Sequence, residues 1–189
     1  MEKDFLVRGE GVAEYFQARP VIRHLVFEGG GAKGLAYVGA LQVLQEEGHL
    51  ATVEQIAGAS AGAITALIVA LGYNLEEIEQ LLDLDFNTFK DGSWSYTKKT
   101  FDIFGSFGLH PGDALERWLE DLVEKKLGSK TATFADLHRV VTQQEKDKAT
   151  SAYRFRDLHT IGANLSQSRA EVFSFYSPQT RDFPLAKAV

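Results

Sequence analysis

The sequence predicts an α/β fold, a parallel sheet flanked by helices, and three observations predict it. Two strand-like apolar runs are each followed by a glycine-rich turn and a helical pattern, a plan that sets strands parallel with helices as crossovers. The stretch 61–71 is apolar on almost every side, as only a helix enclosed by other elements is. The chain has 189 residues, of which 44% are apolar and 24% charged. That length and balance bury about 70% of the unfolded surface in one core, which excludes disordered, collagen-like and disulfide-scaffold classes.

Residues 1–20 mix charge and glycine with few apolar side chains and lack the apolar centre of a secretory signal. They read as a lead-in or a piece of a preceding domain, with the folded domain spanning 21–189. Ile22, Leu25, Val26 and Phe27 read as a buried strand stopped by Glu28 and three glycines. Leu35, Val38, Leu41 and Leu44 then recur at helical spacing, and Gly48 closes that helix. Residues 53–57 form the second strand, 58–62 a small-residue turn, and 61–71 the enclosed helix. Asn74 with Glu77 has the form of a capping box for a helix through Leu82.

From 85 to 110 the periodicity fails and seven aromatic residues crowd among Gly and Ser, read either as plugs beneath a long connection or as a mobile, lipid-facing cover. Pro111-Gly112-Asp113 opens an amphipathic helix with Leu115, Trp118, Leu119, Leu122 and Val123 on one face and Gly128 beyond its end. Thr133 with Asp136 starts a shorter helix through about Thr142, and 143–150 read as a surface loop. Residues 158–163 and 170–176 are two further strands, and 185–189 the start of a helix.

Composition narrows the chemistry. Twenty Lys and Arg against 26 Asp and Glu give a net charge of −6 without a basic block, so nucleic acid is not an expected partner. With no cysteine there is neither a disulfide framework nor a thiolate nucleophile or metal site. The stretch 61–71 is about half the length of a bilayer span. The compartment stays open, either cytoplasmic or exported without a signal peptide.

The strongest motif is Gly58-Ala59-Ser60-Ala61-Gly62, a G-x-S-x-G pattern between a strand and a helix. Such a turn lifts the serine hydroxyl out of a strained backbone, and the small neighbours Gly58, Ala59, Ala61 and Gly62 leave it room. The helix beginning there offers free N–H groups and positive potential to an oxyanion. Ser60 is therefore the candidate nucleophile, although small residues also serve close strand-to-helix packing.

The second motif, Glu28-Gly29-Gly30-Gly31-Ala32-Lys33-Gly34, sits at the preceding strand-to-helix junction. It fits G-x-G-x-x-G, but the acidic residue that a dinucleotide site needs at the end of the next strand is replaced by the serine turn, and no G-K-[ST] follows Lys33. A structural turn is one alternative. The other is a row of backbone N–H donors aimed at an acyl oxyanion, with Lys33 adding positive potential or standing solvated in the first helical turn. Adjacent parallel strands would bring the donor turn and the serine turn to one sheet edge.

These motifs resemble the patatin-like phospholipases, in the form bacterial members take. Residues Phe27 to Gly34 are similar to their glycine-rich oxyanion motif, Gly58 to Gly62 to their nucleophile elbow, and Gly39-Ala40-Leu41 to the helix between them. Weaker echoes are Thr133-Phe134-Ala135-Asp136-Leu137, Phe175-Tyr176-Ser177-Pro178 and Pro184-Leu185-Ala186. The resemblance implies a three-layer α/β/α fold with a mainly parallel central sheet, and a serine lipid acyl hydrolase of phospholipase A or lysophospholipase type. It works by a Ser-Asp dyad without metal or organic cofactor, with Ser60 as nucleophile and Gly29, Gly30, Gly31, Ala32, Lys33 and Gly34 around the oxyanion hole.

A dyad requires no histidine, so His24, His49, His110, His138 and His159 receive no role. The dyad aspartate lies in an Asp-Gly-Gly or Asp-Gly-Ala motif in the family. Here Asp91-Gly92 is the one Asp-Gly pair and falls too early, while Asp157 and Asp182 lack the glycine and read as surface residues. The catalytic aspartate is not found in this chain, which reads as stopping short of that motif with the C-terminal part of the domain missing. The chain alone is then expected to be weakly active or inactive. The implied partners are a phospholipid or other acyl-ester lipid, transient contact with a membrane surface, and a protein activator or the missing C-terminal segment. The rival class is a catalytically silent binding or regulatory module that keeps the elbow for packing; a nicotinamide-dependent oxidoreductase ranks third.

Overall fold

The computed structural model describes residues 21–30, 36–82, 113–147 and 151–189. Its sheet has four strands in the order β1 (His24–Phe27), β2 (Gln55–Ala59), β3 (Asp157–Asn164) and β4 (Arg169–Ser174). β1 and β2 run parallel with Phe27 opposite Gly58, and β2 and β3 run parallel with Ala59 opposite Ile161. β4 returns antiparallel to β3 as a hairpin. The sheet is open, mostly parallel and flanked by helices, as the strand-turn-helix repeats predict.

Helix α1 (Ala36–Glu46) connects β1 to β2, and α2 (Ala61–Ala70) leaves β2 to pack along the first three strands. Every residue of α2 is buried, as its apolar circumference requires. Its side of the sheet carries Phe27, Ile56, Gly58, Leu158 and Thr160, all buried. Helix α3 (Leu75–Leu82) starts at the expected capping box, in which Asn74 Oδ1 accepts from Glu77 N at 2.8 Å and Glu77 Oε2 accepts from Asn74 N at 2.9 Å. Helix α4 (Asp113–Leu127) buries Leu119, Leu122 and Val123 and accepts the Tyr73 hydroxyl at the Leu122 carbonyl, 2.8 Å away. Burial of that phenol pushes its pKa up to about 12, with Glu77 adding to the rise.

Helix α5 (Phe134–Lys146) carries the Thr133–Asp136 capping box and runs four residues past the expected end at Thr142. Residues 143–146 of the stretch expected as loop are helical, and Gln144 is held on both sides of its amide, accepting from Phe155 N at 2.9 Å and donating to the Phe155 carbonyl, whereas 148–150 lie outside the described residues. On the sheet face away from α2, α5 meets the start of β3 through His138. The sheet thus separates two helical layers.

Three strand readings need correction. β1 is not uniformly buried: Leu25 and Phe27 turn toward α2 whereas Val26, on the alternate face, is 75% exposed. β2 is shifted two residues, because Gly58 and Ala59 continue the ladder opposite Thr160 and Ile161. β3 contains the expected 158–163 and runs one residue further at each end, whereas β4 starts one residue earlier than expected and ends at Ser174 rather than 176, since the ladder is closed by Asn164 opposite Arg169 at the turn. The 185–189 expectation resolves as a 3-10 turn over Leu185–Ala188, with Leu185 and Ala186 buried. Residues 1–20 and the aromatic stretch from 85 to 110 lie outside the described residues.

The residue that ties these layers together was not anticipated. Arg156 is 1% exposed, and its guanidinium donates to the carbonyls of Leu50 (2.7 Å), Ala152 (2.6 Å), Val53 (3.1 Å), Arg154 (2.8 Å) and Val69 (3.4 Å). It joins the C-terminal turn of α2, where the helix dipole is negative, to the approach to β2 and the approach to β3. Burial, with a smaller contribution from Arg154, draws its pKa down to about 10, so it stays charged at neutral pH.

Candidate active site

The described start of the glycine motif, Glu28 to Gly30, and the serine turn meet at one edge. β1 and β2 end side by side, so the turn at Gly29 and the turn at Ser60 both emerge from the C-terminal edge of the parallel strands. A β-carbon built on Gly29 would lie 3.2 Å from Ser60 Cβ and 3.8 Å from Ser60 Oγ. The main chain at Gly29 therefore stands against the serine side chain.

Ser60 has φ 54° and ψ −131°, a conformation that L residues rarely adopt and that costs about 1–3 kcal/mol. The sharp turn between β2 and α2 imposes it. Gly58 and Gly62 make that turn possible: a β-carbon on Gly58 would lie 2.3 Å from the Gly62 carbonyl oxygen, and one on Gly62 only 2.2 Å from the Phe27 oxygen and 2.4 Å from that of Glu28. The elbow is thus packed backbone to backbone against the end of β1. Ala59 ends β2 half-buried, and Ala61 is the buried first residue of α2.

Ser60 is exposed, and its side chain makes no capping bond to its helix. Its carbonyl accepts from Ala63 N at 2.8 Å and Ile64 N at 3.4 Å. The N–H groups of Ala61 and Gly62, one turn too early for an intrahelical acceptor, are left at the helix N-terminus beside the hydroxyl. The Gly29 turn is held as well, by a feature the sequence did not signal. Tyr37 on α1 donates its hydroxyl to the Glu28 carbonyl at 2.8 Å, and its ring meets Phe27 edge-on with centroids 5.0 Å apart. A helix residue thus fixes the chain just before the glycines. Gly30 is described and exposed, whereas Gly31, Ala32, Lys33 and Gly34 lie outside the described residues, as does Asp91-Gly92.

Among the described residues no hydrogen-bond partner reaches Ser60 Oγ. Asp182 is exposed, as expected. Asp157 is not: it is 6% exposed and accepts from His138 Nδ1 at 2.9 Å and from the Tyr176 hydroxyl at 2.7 Å. The surface reading fails because the strand start that carries Asp157 is covered by α5 and by the 175–176 segment. Phe175 stacks on His138 at 3.7 Å and Tyr176 on His159 at 5.7 Å. Burial pushes the Tyr176 phenol up to about 12, aided by its bond to Asp157. Burial lowers the His159 pKa, partly offset by Asp157.

This cluster is at the wrong end of the sheet to serve Ser60. Asp157 pairs with Gln55, four residues before Ala59, or about 13 Å down the strands. Among the described residues, no group of three or more His, Asp or Glu is arranged to hold a metal ion, and no helix is long and apolar enough to cross a membrane.

A family model described as patatin-like phospholipase matches residues 25–189. The uncharacterized protein YqhO of Bacillus subtilis (strain 168) is 39% identical over 106 residues, 53% of this chain and 36% of its own length. The uncharacterized protein R571 of Acanthamoeba polyphaga mimivirus is 28% identical over 171 residues, 89% of this chain and 50% of its own. The chain spans half or less of the length of these curated relatives. Among solved structures, ExoU of the Pseudomonas aeruginosa type III secretion system, crystallised with SpcU, aligns over 90% of this chain and 38% of its own, with TM-score 0.56 and 24% identity. VipD from Legionella pneumophila aligns over 90% of this chain and 42% of its own, with TM-score 0.57 and 20% identity. At these identities the likeness is one of fold.

Proposed function

The chain belongs to the patatin-like phospholipase family, and from that premise we propose that it carries the nucleophile and oxyanion hole of a serine lipid acyl hydrolase. Ser60 Oγ attacks the carbonyl carbon of a fatty-acyl ester as its proton passes to an aspartate, the second member of a Ser-Asp dyad. The resulting oxyanion is met by main-chain N–H groups of the turn from Gly29 to Ala32, each contributing about 3 kcal/mol to the transition state. Collapse of the intermediate breaks the ester C–O bond, the alcohol leaves with the proton, and water then releases the fatty acid from the acyl-enzyme. Family membership supports activity on lipids; the dyad and the roles of individual residues are our reading.

One observation carries it: the strained Ser60 elbow packed against the main chain at Gly29, which is costly to keep for packing alone. Among the described residues no aspartate hydrogen-bonds Ser60, and Asp157 stands about 13 Å down the strands from it. An unassisted hydroxyl is a poor nucleophile at neutral pH, and with no described carboxylate bonded to Ser60 our reading is that the chain by itself is a weak hydrolase. That Ser60 has no hydrogen-bond partner among the described residues also favours a second reading, a silent module that binds lipid or protein through the same fold.

Hydrolysis of a chromogenic fatty-acyl ester by the chain and by Ser60→Ala separates these. Slow release that disappears in Ser60→Ala supports the hydrolase. Release that survives in Ser60→Ala, or none at high enzyme concentration, supports the silent module. Fast, Ser60-dependent turnover would contradict the weak-activity reading while keeping the nucleophile.

A further inference from the structure

We infer that the β3–β4 hairpin is a membrane-contact element whose tip seats in a lipid bilayer and turns the Ser60 edge of the sheet toward it. The inference rests on the lipid reading above and adds the surface that would meet the substrate. The β2–β3 ladder ends with Ala59 opposite Ile161, but the hairpin continues through Gly162, Ala163 and Asn164, paired with Glu171, Ala170 and Arg169. Its tip therefore projects about 10 Å beyond the end of β2, on the side where the Ser60 turn emerges.

What it presents there is apolar. Leu165 at the tip is 87% exposed, and Ile161 and Val172, opposite each other across the hairpin, are 46% and 47% exposed. Ala163 and Ala170 complete an exposed row on the sheet face that α2 does not cover. A shallow, mainly apolar cavity of about 370 Å³ lies among Ile161, Ala163, Leu165 and Ala170. Scattered apolar surface residues need no explanation, but a row of them running to the sheet edge that carries Ser60 does.

The polar groups at the tip suit a lipid interface. From Asn164 to Arg169 the one charge is the Arg169 guanidinium, which can reach headgroup phosphate while Leu165 enters the acyl region. Glu171, two residues on along the face of β4 that Arg169 shares, accepts from Asn164 Nδ2 at 3.0 Å, and neither side chain lies on the apolar face of the hairpin. A second copy of the chain is a poorer fit, because edge-to-edge pairing would use the short, charge-bearing flank of β4 rather than the apolar tip.

The chain has no cysteine, so one introduced thiol labels uniquely. The full chain with Leu165→Cys carrying an NBD fluorophore is compared with Asp147→Cys, at the end of α5 where Gln144 holds Phe155 just before β3, the opposite edge. With phosphatidylcholine vesicles the label at 165 is expected to shift to the blue and brighten while that at 147 does not. Leu165→Asp should lower vesicle partition about tenfold. No change at 165, equal changes at both sites, or a change at 165 that needs no vesicles and grows with protein concentration would overturn the inference. Vesicle binding that is intact in Ser60→Ala with no Ser60-dependent chemistry would leave the contact standing and remove only the hydrolase reading.

Discussion

Replacing Ser60 with glycine should leave the protein more stable than replacing it with alanine. Alanine keeps a β-carbon at φ 54° and ψ −131°, and so keeps the steric cost of that conformation, about 1–3 kcal/mol. Glycine removes the cost but gives the unfolded chain more freedom, which returns about 0.5–1 kcal/mol. No hydrogen bond among the described residues is lost in either variant, and the side chain is exposed. The net expectation is a Ser60→Gly protein more stable than Ser60→Ala by about 0.5–2 kcal/mol, with Ser60→Ala within about 0.5 kcal/mol of the parent. For a chain of this size that is a few degrees in Tm. Urea unfolding of the three proteins, with midpoints compared at equal slopes, reads the difference. A Ser60→Gly protein no more stable than Ser60→Ala would refute the argument that the elbow stores strain.

Gly62→Ala should lose more than about 3 kcal/mol or fail to fold, because its β-carbon would lie 2.2 Å from the Phe27 carbonyl oxygen, a backbone atom that cannot step aside; thermal unfolding or soluble yield reads this. Arg156→Met should cost about 3–5 kcal/mol by leaving buried carbonyls at the end of α2 without donors, and Arg156→Lys should recover only part because an ammonium cannot span five acceptors; chemical unfolding measures both. His159 has a lowered pKa in the fold, so the unfolded chain binds its proton more readily, and the histidine's contribution is present above the unfolded pKa near 6.5 and lost as pH falls below it. Unfolding free energy measured from pH 7.5 to 5 should therefore fall less steeply in His159→Gln than in the parent.

What the sequence made legible was local. The G-x-S-x-G run announced the elbow because only small residues tolerate backbone contacts as close as those at Gly58 and Gly62. Both capping boxes were readable because each is closed within four residues. The enclosure of α2 followed from an unbroken apolar composition. What escaped depends on partners distant in sequence. Asp157 is buried by His138 and Tyr176, each 19 residues away. Arg156 reaches Leu50 across 106 residues, and an arginine beside a strand looks like any surface arginine until its acceptors are assembled. The exposed side of β1 was missed for a related reason, because a run of apolar residues does not tell which face a helix will cover.

The most direct test of the central claim is the intact mass of the full chain after incubation with a long-chain alkyl fluorophosphonate. The account expects a single covalent adduct, mapped by peptide sequencing to Ser60 and absent from Ser60→Ala. An unmodified protein after prolonged exposure, or an adduct on another residue that persists in Ser60→Ala, would contradict it.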